Sequence, residues 1–413
     1  MARLEVLNMK IKIGLDKLFF EYILWFQTIN MALGIVMPNM KNKSFLLFFV
    51  IAFAYYCSKT AINNKVEFLI SSVLLVFYSI YYGLHSGFNQ LFHLDFYSYI
   101  ALAYLFLIFS KKDFLTKFEM FLKKSGRQAL YSIYIYWFVI IISIFFFDGL
   151  QMGWGVSIPI LYGPCELPHE LAYSIIIIYC MCAEVYRENK KNFILFLKGV
   201  CFFSIIRTGV RSAFLAFFVI MIIDFYSLYS IKKKVIIISL GLFCLMYISV
   251  FTDLIVNNPI IAKSISAVFN SGSITNQRGL FSNVVLSAYN KKSTILEWFF
   301  GMGIDGVRGT LKNHPAVGVA IHAHNDYVNT LCGYGIVGLI IIIAGQYSVL
   351  KLWENKFVKF MTEMVIIILA LTNGLAMYIC FTPCMIILFL FSKNSQKSNK
   401  KYNDGFDILR LLN

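Results

Sequence analysis

Arg207 and Arg211 stand four residues apart in the run Arg207-Thr208-Gly209-Val210-Arg211-Ser212-Ala213, where two apolar stretches join. Guanidinium groups at the edge of hydrocarbon are costly unless they meet an anion, and no acid lies close by in sequence. Two readings stay open. An acid from a distant loop completes a structural ion pair, or the pair receives an anionic ligand, for which the planar arginine fork suits phosphate. A second chemical segment is His322-Ala323-His324-Asn325-Asp326-Tyr327. Two histidines at i, i+2 without a further ligand motif make a poor metal site. An imidazole of near-neutral pKa suits a general base instead, and a carboxylate such as Asp326 or Asp305 can orient it.

The elements that must position these residues belong to a membrane protein. The chain has 413 residues, 59% hydrophobic and 14% charged, with mean hydropathy +0.72; soluble domains carry about 25% charged residues. A water-soluble globule is excluded, because too little polar surface remains to cover such a core. The net charge of +16 would suggest nucleic acid in a soluble protein. Here the basic residues cluster between apolar runs on alternate sides, the positive-inside pattern, so nucleic acid is not an expected partner.

Apolar runs fall near 18–37, 45–57, 66–83, 94–109, 129–147, 171–186, 193–206, 212–231, 235–252, 328–350 and 364–391. Shorter runs borrow flanking residues to reach the roughly 20 that a span needs. The last run is long for one helix, and Asn373, Gly374 and Pro383 offer a reversal. The expectation is an all-α polytopic protein of about 12 transmembrane helices, both termini cytoplasmic. Inner segments carry Lys59 and Lys65, Lys111 to Arg127, Lys232 to Lys234 and the Lys-rich tail, whereas the outer loops around 85–92 and 150–168 carry no Lys or Arg; Lys41 and Lys43 are the short-loop exception. No small-residue cleavage site follows the first apolar run, which is expected to remain as the first span. The chain divides into helices 1–9 over residues 1–252, a large outer loop over 253–327, helices 10–12 over 328–392 and a basic tail over 393–413.

All six histidines, His85, His93, His169, His314, His322 and His324, then lie outside or at that edge. Seven of the nine cysteines fall in or beside spans, as small buried hydrophobes. Within the large loop, Arg278 to Tyr289 has apolar residues at helical spacing, suiting a helix at the membrane surface. Gly301, Gly303 and Gly306 break that pattern before the histidines, and Gly335-Ile336-Val337-Gly338 opens the next span.

His324-Asn325 followed by Gly335-x-x-Gly338, after a large outer loop, resembles the signature of the O-antigen ligase and O-antigen polymerase superfamily of bacterial polysaccharide assembly. Arg211-Ser212-Ala213 matches a further arginine motif of that superfamily, Arg278 another, and Gly301-Met302-Gly303 a Gly-x-Gly stretch before the histidine. The motifs cover roughly residues 204 to 340. Two departures stand out: Leu339 and Ile342 replace the Thr and Gly common in the ligase form, and Pro168-His169-Glu170 resembles poorly the Asn-containing outer segment of some members.

The resemblance implies a glycosyltransferase at the periplasmic face of the inner membrane that uses an undecaprenyl-diphosphate-linked glycan as donor and another as acceptor. It implies catalytic roles for His324, Arg211 and Arg278, and substrate contacts from Arg207, Asn325, Asp326, His322, Gly335 and Gly338. Transfer is expected to be inverting and to need no cofactor and no metal. A chain-length regulator and a flippase are further expected partners beside membrane lipids. The expected activity is polymerase, with a ligase moving finished polymer to lipid A core as alternative. A transporter or flippase of lipid-linked glycans ranks third, because Glu21, Glu67, Glu184, Asp224 and Glu363 lie mostly toward span ends.

Overall fold

The computed structural model describes residues 2–37, 41–87, 111–145, 150–153, 156–165, 167–186, 191–228, 277–350 and 356–374, with parts of 100–108 and 258–265. The described chain is helical apart from one small hairpin. Its elements are α1 (Ala2–Val36), α2 (Lys41–Asn63), α3 (Lys65–Ser86), α4 (Lys112–Phe145), β1 (Leu150–Gly153), β2 (Val156–Leu161), α5 (Pro168–Tyr186), α6 (Lys191–Thr208) and α7 (Arg211–Leu228). After them come α8 (Arg278–Lys292), α9 (Ile295–Phe300), α10 (Ile304–Lys312), α11 (Asp326–Leu350) and α12 (Lys356–Thr372). The apolar run at 235–252, the region after Gly374, the basic tail and His93 lie outside the described residues.

Hydropathy locates α1–α7, α11 and α12, and the structure adjusts their ends; α9 and α10 fall where no apolar run stands, and Gly306, expected to break a helix, lies within α10. α1 starts far upstream of the apolar run it contains, and the basic segment 112–127 is helical, continuing into the following run past a bend at Ser125 (φ −111°, ψ 20°). The 150–168 loop holds an antiparallel hairpin with Leu150 opposite Leu161 and an irregularity between Gln151 and Gly153. α12 stops at Thr372, where the Asn373 and Gly374 N–H groups both donate to the Leu369 carbonyl; Gly374 has φ 88°. This C-cap sits at the expected reversal. Among the described residues, two stretches are long and apolar enough to cross a membrane, Lys65–Leu84 of α3 and Asp326–Tyr347 of α11.

α5 forms the centre of the bundle. Leu171, Tyr173, Ile176, Tyr179 and Cys180 are fully buried, and a helix apolar on all sides is one that neighbours surround. α6, α7 and α12 pack about it. The segment α8–α10 builds a smaller core on α11 from Val285, Tyr289, Val307, Leu311 and Cys332. A capping box starts α9, with Thr294 and Glu297 bonding each other's N–H groups. The Tyr289 hydroxyl donates to the Trp298 carbonyl at 2.8 Å, folding α9 back onto α8.

Acids within the bundle have internal partners. Asp224 of α7 meets Lys198 at 2.7 Å and accepts from the Tyr179 hydroxyl at 3.1 Å. Asp16 pairs with Lys59 and Tyr55, and Glu67 with Lys111 and Tyr56. Removing one member of such a pair would strand a buried charge, so these groups tie helices together.

Candidate functional site

The α6–α7 junction folds as a tight turn. The Thr208 hydroxyl donates to the Ile205 carbonyl and accepts from the Val210 N–H, and Gly209 takes φ 61°, a conformation open to glycine at little cost. Arg211 therefore opens α7, where the helix macrodipole already contributes partial positive charge. Arg278 opens α8, and its Nη1 donates to the Thr372 carbonyl at the end of α12 at 2.7 Å. The two guanidiniums lie near enough to repel one another. Two half-buried cations and a helix N-terminus thus converge, an arrangement that an anion would stabilise.

His324 faces the same corner. Its backbone is in the left-handed region (φ 53°), held there by both neighbours. The Ala323 N–H donates to Asn329 Oδ1 at 2.9 Å and the Ala323 carbonyl accepts from Ser282 at 3.1 Å. On the other side, Asn325 Oδ1 accepts from the N–H groups of Tyr327 and Val328, capping α11. His324 Nδ1 lies 3.0 Å from Asn373 Oδ1. Nδ1 therefore carries the proton and Nε2 the lone pair. Burial, then the positive charge of Arg278, push the imidazole down to about 4, against the opposing pull of the Asn373 hydrogen bonds. His324 is neutral at pH 7, the state a base requires.

A buried chain of hydrogen bonds supports it. Tyr173 of α5 bonds Ser212 Oγ at 2.8 Å and also the Asn373 side chain, with Arg278 and Asp326 in its electrostatic surroundings. Four separate segments are thereby joined: α5, α7, the end of α12 and the loop before α11. Tyr173 carries no motif, and Asn373 lies 49 residues from His324, so neither shows its role in the sequence.

The remaining expected residues divide. Asp326 is buried in the first turn of α11, favourable for an acid by the helix dipole. Asn325 serves the α11 cap, so the hydrogen bond that orients the His324 ring comes from Asn373 and not from Asn325, Asp326 or Asp305. His322 turns away: its Nε2 lies 2.6 Å from Arg308 Nη2. Arginine only donates, so Nε2 of His322 accepts and its lone pair is occupied. Arg207, on the last turn of α6, makes no hydrogen bond or ion pair among the described residues.

The glycines shape the support beneath. Gly335 breaks α11 with φ 72° and ψ −172°, and a Cβ there would stand 2.2 Å from the Phe299 carbonyl oxygen. The break releases helix carbonyls, and Met302 and Gly303 N–H groups donate to Cys332 and Gly333 at 2.8 and 3.2 Å. Tyr78, Tyr81 and Tyr82 of α3 cap the carbonyls of Tyr334, Gly301 and Gly333. The Gly301-Met302-Gly303 stretch is thus clamped to the helix carrying Asp326. Gly338 lies one turn beyond the break, with Tyr334 Cβ 2.3 Å from where its own Cβ would be.

The corner thus places two guanidiniums beside a neutral imidazole on a helical scaffold. Residues 196–343 match a family model described as O-antigen ligase. The match runs from α6 into α11, spans Arg207, Arg211, Arg278, His322, His324, Gly335 and Gly338, and supports the O-antigen polymerase and ligase superfamily. It indicates an O-antigen ligase- or polymerase-like function in lipopolysaccharide biosynthesis, on lipid-linked glycans, in a family of integral inner-membrane proteins. A search of curated proteins finds no match.

Proposed function

We propose that the chain is an O-antigen polymerase, a metal-independent inverting glycosyltransferase that joins undecaprenyl-diphosphate-linked repeat units at the periplasmic face of the inner membrane. The observation that carries this reading is the convergence of Arg211 and Arg278 on the corner where His324 keeps a neutral ring with its Nε2 lone pair available. An acceptor sugar hydroxyl attacks the anomeric carbon as the carbon–oxygen bond to the diphosphate breaks. The proton passes to His324 Nε2, and the electron pair leaves with undecaprenyl diphosphate. Charge grows on the departing oxygen, and preorganised guanidiniums lower that barrier. A single displacement inverts the anomeric centre. A bound diphosphate would also offset the charge of Arg278 and raise the affinity of His324 for a proton as the reaction needs it.

Twelve spans with both termini cytoplasmic would put α8–α10 and the His324 loop on the periplasmic side. A chain-length regulator and a flippase are the partners such a polymerase would use. Polymerase is favoured over ligase by the run His324-Asn325-Asp326-Tyr327 and by Leu339 and Ile342 in place of Thr and Gly. Internal pairing of Asp16, Glu67 and Asp224 argues against a charged translocation path. The lipopolysaccharide gel profile of a deletion strain tests the choice. One added repeat unit supports the polymerase; loss of all O-antigen from core with accumulated lipid-linked polymer would make the chain a ligase.

A further inference from the structure

Four of the six residues of α9 are large, apolar and uncovered: Ile295 and Leu296 are 79% and 57% exposed, Trp298 and Phe299 40% and 49%. An apolar patch of this kind marks a contact surface, and what it adjoins identifies the contact. α3 carries Leu69, Val73, Val76, Ile80 and Leu84 as an exposed apolar stripe at helical spacing, on a helix long and apolar enough to cross a membrane. On such a helix the stripe is the side that acyl chains cover. Phe77 lies within the stripe, and its ring meets that of Phe300 at 4.6 Å, with Tyr78 and Tyr81 following at 5.7 and 6.1 Å. The patch on α9 therefore continues the lipid-facing side of α3.

Two helices serve as rulers for its depth. Phe77 and Tyr81 lie seven and three residues before Leu84, where the apolar stretch of α3 ends, or roughly 5–10 Å along a helix. α11 runs antiparallel beside α3, with Tyr82 at Gly333 toward one end and Ser71 and Ile342 lining one cavity toward the other. The Met302 and Gly303 N–H groups donate to Cys332 and Gly333, six and seven residues inside the stretch that starts at Asp326, or about 10 Å. Both rulers place the junction of α9 and α10 below the surface, on the side where α11 begins.

Hydrocarbon tolerates a broken backbone only where the protein satisfies its polar groups, and here they are satisfied. Gly301, Gly303, Gly333 and Gly335 are buried. The hydroxyls of Tyr78, Tyr81 and Tyr82 supply donors to three carbonyls at the break, and the Gly301 N–H donates to the Glu297 carbonyl. Glu297 is the charged residue of α9, and its carboxylate turns back to accept from the Thr294 N–H at the helix start.

We infer that α9 is a re-entrant segment that dips into the lipid leaflet on the His324 side, with Ile295, Leu296, Trp298 and Phe299 against acyl chains, and anchors the Gly301–Gly303 clamp there. His324 stands two residues before the apolar stretch of α11 begins, so the anchor also fixes the height of the candidate base relative to the hydrocarbon. Such anchoring is the same whichever transfer reaction the corner performs.

The test uses the full-length protein in lipid nanodiscs. A phospholipid with a diazirine on the upper part of its acyl chain should label residues 295–299, mapped by mass spectrometry, and hydroxyl radicals generated in the water should leave Trp298 and Phe299 unoxidised. Phe299→Asp should lower the yield of folded, membrane-inserted protein roughly tenfold, because an acid at hydrocarbon depth is disfavoured, and Phe299→Leu should keep it. Oxidation of Trp298 and Phe299 from the water without lipid labelling would overturn the inference, as would an unchanged yield of Phe299→Asp, since a charge on a solvated face is tolerated. Cross-links from these residues to a second copy of the chain, in place of lipid labelling, would make the patch a subunit contact and overturn it as well.

Discussion

Replacing Asn373 by aspartate would put a full negative charge where an amide oxygen now lies 3.0 Å from His324 Nδ1. In the present structure burial and Arg278 hold the ring down to about 4 from an ordinary 6.5, a difference of roughly 3 kcal/mol against the charged form. The base works when neutral, so activity should be retained above that value and lost only as pH falls toward 4. A carboxylate on Nδ1 favours the imidazolium, and the acid limb of kcat/KM should move up by at least about one unit. Asn373→Ala should instead lower kcat by roughly tenfold or more, because the ring loses a buried hydrogen bond worth about 1 kcal/mol and the restraint that keeps its lone pair on Nε2. The assay is transfer by purified protein across pH 4 to 8, with donor binding measured alongside. If both variants keep the wild-type rate and pH profile, Asn373 does not position His324.

Arg211→Lys should remain badly impaired, because an ammonium keeps the charge and loses the two-pronged geometry. A contact that strengthens in the transition state is worth about 3 kcal/mol, or roughly a hundredfold in rate, read as kcat in the same assay. Gly335→Ala should lower the melting temperature in detergent and the yield of folded protein, since its Cβ would meet the Phe299 carbonyl oxygen at 2.2 Å in a positive-φ conformation. Topology reporters after Asn290 should read periplasmic and those after Lys234 and Lys400 cytoplasmic; a cytoplasmic signal at Asn290 would place the site on the wrong face.

Helices were legible because their signal is local. Apolar runs marked α2, α3, α5, α6 and α7, and the α6–α7 turn and the α12 stop showed in Gly209 and in Asn373-Gly374. The 150–161 hairpin was not, since a short two-stranded ribbon between spans leaves little pattern. Arg211, Arg278 and His324 could be selected by residue type and motif, whereas their supports could not. Tyr173 reads as one aromatic in an apolar helix, and it is the packing of α5 against α7 and α12 that brings its hydroxyl to Ser212 and Asn373. Asp326 sits in the expected cluster, but the orienting contact comes from an amide on another helix, and no spacing rule links positions 324 and 373. The motif already chose His324 over His322, and the fold adds a physical reason by putting Arg308 against His322.

The most direct test of the account is transfer from a purified undecaprenyl-diphosphate oligosaccharide by wild-type, His324→Ala and His322→Ala proteins, with donor binding measured on the same preparations. His324→Ala should bind donor nearly as wild type does and release no undecaprenyl diphosphate, since a base acts on the acceptor hydroxyl and not on the carrier. His322→Ala should retain transfer. Transfer at the wild-type rate by His324→Ala would contradict the proposed mechanism at its centre.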